Sequence, residues 1–89
     1  MEAEKIAKVL NASKAFVSGK NPSLFRIQKD LAEELQKLFE TLIPGEEFTG
    51  YAIVNGESLV FHKKGGKMIV AFVDEDKIFG AFRKMMEYE

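Results

Sequence analysis

The sequence predicts an α+β domain, a three-stranded antiparallel meander with helices in the order ααβββα. Two hairpin dipeptides, Asn55-Gly56 and Gly65-Gly66, cut residues 48–73 into three short apolar runs, and apolar residues recur at helical spacing before and after them. Both dipeptides tolerate positive φ at little cost, which is what a two-residue hairpin turn demands.

Two-residue turns fix the register. Val54 then pairs with Glu57, Ala52 with Leu59 and Gly50 with Phe61, while Phe61 pairs with Val70 and Leu59 with Phe72 across the second turn. Since successive side chains alternate in direction, one face carries Ala52, Val54, Leu59, Phe61, Met68, Val70 and Phe72. The other carries Tyr51, Ile53, Val60, His62, Ile69, Ala71 and Val73. Neither is polar, so both sides of the meander need cover, from helices of the same chain or from a second chain.

Residues 2–17 read as a first helix with Ala3, Ile6, Leu10, Ser13 and Val17 on one stripe, and Ser18-Gly19 as its end. It either packs on the core or projects to a partner. Asn21-Pro22 reads as the start of a second helix, Asn as N-cap and Pro at the first helical position. Its apolar series is Leu24, Ile27, Leu31, Leu35, Leu38 and Leu42, widened by Phe25, Ala32, Phe39 and Ile43, and Pro44-Gly45 stops it. That arc is wider than one sheet face needs; it is either all core or in part the seat of a second subunit. After the meander, Asp74 is placed to cap a last helix with Ile78, Phe79, Phe82, Met85 and Met86 as its apolar side. Gly80 inside that helix suggests close approach to the sheet.

At 89 residues the chain makes one domain, residues 1–89, with a single modest core. A net charge of -1 argues against a general nucleic-acid binder, and the lack of cysteine excludes disulfides and thiolate chemistry and suits a reducing cytoplasm. No apolar run reaches the length of a membrane span, so a cytoplasmic protein is expected. Charge supplied mostly by Lys and Glu is the composition of thermophilic proteins.

From Ser23 onward, the order of elements resembles the second half of the roadblock family, the dynein light-chain and bacterial GTPase-regulator type of domain with its profilin-like architecture. The stretch Val73-Asp74-Glu75-Asp76-Lys77-Ile78-Phe79-Gly80-Ala81-Phe82 is similar to that family's closing polar turn and glycine-bearing helix. Family members begin with a helix and two further strands that complete a five-stranded sheet. Residues 1–20 read here as a helix alone, so a shortened variant is expected, in which the strand Met68–Val73 becomes an edge extended by dimerisation. The resemblance implies a non-enzymatic homodimer, formed through the long helix and adjacent edge strand, whose platform binds small GTPases or scaffold proteins.

Edges carry the functional expectation. A long apolar edge strand templates pairing with another chain unless charge, proline or cover blunts it. Met68–Val73 is guarded only by Lys67 at its start, and Phe48–Val54 has Gly50 and no inward charge. The expected dimer or partner interface comprises Leu31, Leu35, Phe39, Tyr51, Ile53, Met68, Val70 and Phe72.

Other chemistry is sparse. His62, the one histidine, has no carboxylate, serine or cysteine partner in reach of sequence reasoning and reads as a packing or rim residue. No spacing suggests a metal site, a cofactor or a catalytic pair. Lys63-Lys64-Gly65-Gly66-Lys67 could cradle an anion with its turn amides, or could be a solvated tip that discourages aggregation. With Lys77, Arg83 and Lys84 it supports an alternative reading as a small nucleic-acid-associated protein.

Overall fold

The computed structural model describes residues 2–19, 21–42 and 45–87. Its first helix is shorter than the apolar stripe predicts, and an asparagine ends it. Helix α1 spans Glu2–Leu10 and buries Ala3, Ile6, Ala7 and Leu10. Asn11 then turns left-handed at φ 57°. The Ala12 amide donates to the Ala7 carbonyl at 2.8 Å and the Asn11 amide to the Lys8 carbonyl at 3.4 Å, the paired bonds of a Schellman stop. At the other end the Ala3 amide finds Ser23 Oγ at 3.1 Å, a capping oxygen from a distant part of the chain.

Ending α1 at residue 10 releases the next segment into strands β1 (Lys14–Ser18) and β2 (Ser23–Phe25), which pair antiparallel with Phe16 opposite Leu24. This corrects the predicted helix over 2–17. It also moves Asn21-Pro22 ahead of a strand, since helix α2 covers only Lys29–Leu42 and Leu24 belongs to β2. Between them, Arg26 adopts φ 57° and lays its guanidinium over the Phe25 ring at 5.0 Å. Ile43 and Pro44, part of the predicted helix stop, lie outside the described residues.

The meander forms as the turns require. Strands β3 (Phe48–Val54), β4 (Glu57–Lys64) and β5 (Lys67–Phe72) pair in the expected register, Gly50 opposite Phe61 and Phe61 opposite Val70. Both turn residues are left-handed in each hairpin, Asn55 at φ 52° with Gly56 at 79° and Gly65 at 60° with Gly66 at 79°. The sheet has five strands, however, in the order β2-β1-β5-β4-β3, and the chain runs αββαβββα. The expected three-stranded ααβββα arrangement is corrected accordingly. So is the edge role given to Met68–Val73: β5 lies in the middle of the sheet because β1 pairs along it, Lys14 opposite Phe72 through Ser18 opposite Met68.

Helices cover both faces. Helices α1 and α3 (Ile78–Glu87) lie over Ala15, Val17, Val60, Ile69 and Ala71, while α2 sets Ala32, Leu35 and Phe39 over Phe16, Leu59, Phe61, Met68 and Val70. The meander is apolar front and back because its own subunit sandwiches it. A single 3-10 turn, Glu75–Lys77, leads into α3; the Asp74 carbonyl accepts the Lys77 amide at 2.9 Å, but its side chain makes no capping bond. Gly80 differs from expectation as well, since a Cβ there would meet nothing within 4 Å. Among the described residues, no helix is long and apolar enough to cross a membrane.

Candidate interaction surface

The two ends of the sheet are built differently. At one end, β2 has three residues, a short edge that offers little to a foreign strand. At the other, β3 has seven, Phe-Thr-Gly-Tyr-Ala-Ile-Val, without a charge or a proline. About half of its backbone amides and carbonyls point away from β4, and among the described residues no strand pairs with them.

Apolar side chains flank that edge on both faces. On the α3 side Tyr51 and Ile53 are 51% and 62% exposed, and Phe79 and Met86 of α3 are 74% and 59% exposed. The Tyr51 ring meets Phe79 edge-on at 5.7 Å and Phe82 at 6.0 Å, so strand and helix present one continuous patch. On the α2 side, Ala52 and Val54 are half-buried and pack against the core beneath α2; Leu38 and Leu42, elsewhere on the surface of α2, are exposed. The α2 arc is thus wider than its buried stripe, as its sequence indicates, because only Ala32, Leu35 and Phe39 point fully inward.

Of the residues expected at an interface, Tyr51 and Ile53 lie on this surface and Leu31 is half-buried. Leu35, Phe39, Met68, Val70 and Phe72 do not belong there: all five are buried in the core beneath α2. The physical reason is the placement of β5, whose inner-sheet position commits its side chains to the subunit's own helices. Phe79 and Met86 are the residues that sequence reasoning missed. Their helix reads as one broad apolar side, whereas the structure splits it into a buried stripe, Ile78, Ala81 and Met85, and an outer one a residue further on, in which Phe79 and Met86 are exposed and Phe82 is half-buried against the core.

The lysine tip is less basic than it reads. Lys64 and Lys67 flank the Gly65-Gly66 turn, but the Lys67 ammonium pairs with the Glu2 carboxylate. Lys63 lies 6.0 Å from the centroid of the Phe48 ring, and the hollow beside the turn is shared with Glu46 and Glu47. Of the candidate anion contact Lys63, Lys64 and Lys67, Lys67 is therefore paired with a carboxylate of α1 and Lys63 shares its hollow with carboxylates of the segment before β3.

His62 faces the α3 side of the sheet, 8% exposed, with Nδ1 2.7 Å from Thr49 Oγ1 on the paired strand. Burial holds its pKa below the usual 6.5, Glu47 pulls it back up and Lys64 pushes it further down. It is a cross-strand packing residue with a satisfied ring nitrogen. Among the described residues, no three His, Cys, Asp or Glu side chains are grouped to hold a metal ion. A crevice of about 460 Å³ between the first half of α2 and the β1–β2 hairpin has a floor of Phe16 and Leu24 with Lys29 and Glu33 on its wall, and among the described residues that line it no nucleophile is paired with a base.

These features define a class: a five-stranded antiparallel sheet with two helices on one face, one on the other, and one long undefended edge. The chain is 32% identical over 87 residues to an uncharacterized protein of Archaeoglobus fulgidus, a match that covers 98% of this chain and 95% of that one. It belongs to the same family as that archaeal protein. No family model and no solved structure gives a significant match.

Proposed function

We propose that this chain is a non-enzymatic interaction module of roadblock type, a homodimer paired through β3 that serves as a platform for a small GTPase or a scaffold protein. The observation that carries the reading is the β3 edge, seven uncharged residues with exposed Tyr51 and Ile53 on its α3 side and half-buried Ala52 and Val54 on the other. A second copy supplies what that edge lacks. It brings another β3 whose outward amides and carbonyls complement the first, and it brings apolar residues to both faces at once. The N-terminal strand pair also supports the reading, because a roadblock domain begins with a helix and two strands, and β1 and β2 follow α1 here. Binding of a GTPase is what the resemblance implies for such a platform.

Sedimentation equilibrium tests the dimer. The wild-type chain sediments as twice its 10.0 kDa mass, and Ile53→Lys, which puts a cation on an already exposed position, sediments as a monomer with its thermal unfolding little changed. A wild-type chain that stays monomeric at high micromolar concentration refutes the proposal.

A further inference from the structure

We infer that α3 forms a helix seam with the partner's α3 across the dimer two-fold, built from Phe79, Phe82 and Met86. This rests on the β3-paired dimer proposed above and adds a second contact to it. Helix α3 carries two stripes at the same three-four spacing. Ile78, Ala81 and Met85 are buried against the sheet; Phe79 and half-buried Phe82 meet Tyr51 of β3, and exposed Met86, seven residues after Phe79, continues the same side of the helix. An apolar series at that spacing is the pattern by which one helix seats against another.

Distance decides what can fill the space. Helix α3 lies across β4 and β3. With strands about 4.8 Å apart, joining two copies edge to edge at β3 puts the two α3 axes roughly 10–14 Å from each other. Packed helices need about 8–10 Å between axes, so a third helix laid between the pair would require about 16–20 Å. The gap is too narrow for another helix and is bridged by side chains the size of Phe and Met reaching from both sides. Tyr51 and Ile53 of each copy then form the floor of the seam. The two-fold runs the helices antiparallel, bringing the Phe79 end of each towards the Met86 end of its mate.

The chain contains no cysteine, so single introduced thiols report the contact cleanly. Phe79→Cys and Met86→Cys, oxidised together as an equimolar mixture at low micromolar concentration, are expected to yield predominantly covalent heterodimer. Val9→Cys, an exposed apolar site on α1, gives only background. Phe79→Glu combined with Met86→Glu is expected to weaken self-association by about tenfold or more without loss of helical circular dichroism. If the wild type is dimeric and Ile53→Lys disrupts it, but the thiols link no better than Val9→Cys and the double glutamate variant associates normally, the seam is refuted and β3 pairing survives. If the wild type is monomeric, both fall.

Discussion

Gly50→Ala tests how tightly β3 is fitted to the sheet. A Cβ at this position would stand 2.7 Å from Phe61 Cζ and 3.0 Å from Cε1, well inside van der Waals contact. The ring cannot retreat easily. It is buried, stacked on Phe39 at 4.4 Å between centroids, and met edge-on by Phe48 at 5.6 Å. Forcing an extra methyl into a packed core costs about 1–3 kcal/mol. Against that, alanine has a strand preference over glycine of roughly 0.5–1 kcal/mol. The net expectation is a loss of about 1 kcal/mol, within a span of about 0–2.5 kcal/mol, and each kcal/mol lost lowers Tm by roughly 4–8 °C in a domain of this size. Thermal unfolding followed by circular dichroism reads it directly. A Gly50→Ala variant that melts clearly above the wild-type temperature would mean that Phe61 does not hold the position shown, and the fit of α2 to the sheet would have to be redrawn.

Gly80→Ala is the counterpart: nothing lies within 4 Å of the added methyl in this exposed helical position, so stability should rise by about 0.5–1 kcal/mol and Tm with it. Phe39→Ala removes the ring that ties α2 to Phe61 and should cost about 3–5 kcal/mol in urea unfolding; a loss under about 1 kcal/mol would show that α2 is anchored elsewhere. His62 makes stability depend on pH. Its native pKa is depressed, so between that value and 6.5 the unfolded chain binds more protons than the folded one. Its contribution is intact above 6.5 and is lost as pH falls from there towards the lower native value, whereas His62→Gln should flatten this limb of the curve in urea midpoints taken across the range.

The meander was readable residue by residue because its turns are two-residue loops of glycine and asparagine, which leave no freedom in the register. The N-terminal strands were hidden by burial on both faces. Ala15, Phe16 and Val17 point alternately to the α1 and α2 sides and are all apolar, so the polar-apolar alternation that marks a strand is absent. Leu24 and Ile27 happen to continue the spacing of α2 backwards through a strand and a loop. The signal that could have found the boundary is Asn11, the residue other than glycine that most readily takes the left-handed stop. Of the surface, the bare edge of β3 was legible from its composition. The division of α3 into an inward and an outward stripe was not, because phenylalanine and methionine occupy both, and only the line of the helix over the sheet tells them apart.

The position of β5 has a consequence for how the chain is made. It is the last strand in sequence, yet it joins the N-terminal hairpin to the meander, so the two halves stay separate until residue 72 has emerged. During synthesis at about 5–20 residues per second, β1 therefore waits several seconds for its partner, with apolar side chains on both sides. A polypeptide cut short before residue 67 lacks the strand that hydrogen-bonds its halves into one sheet and keeps only the packing of α2 on both, and such a fragment exposes apolar surface of the kind chaperones hold.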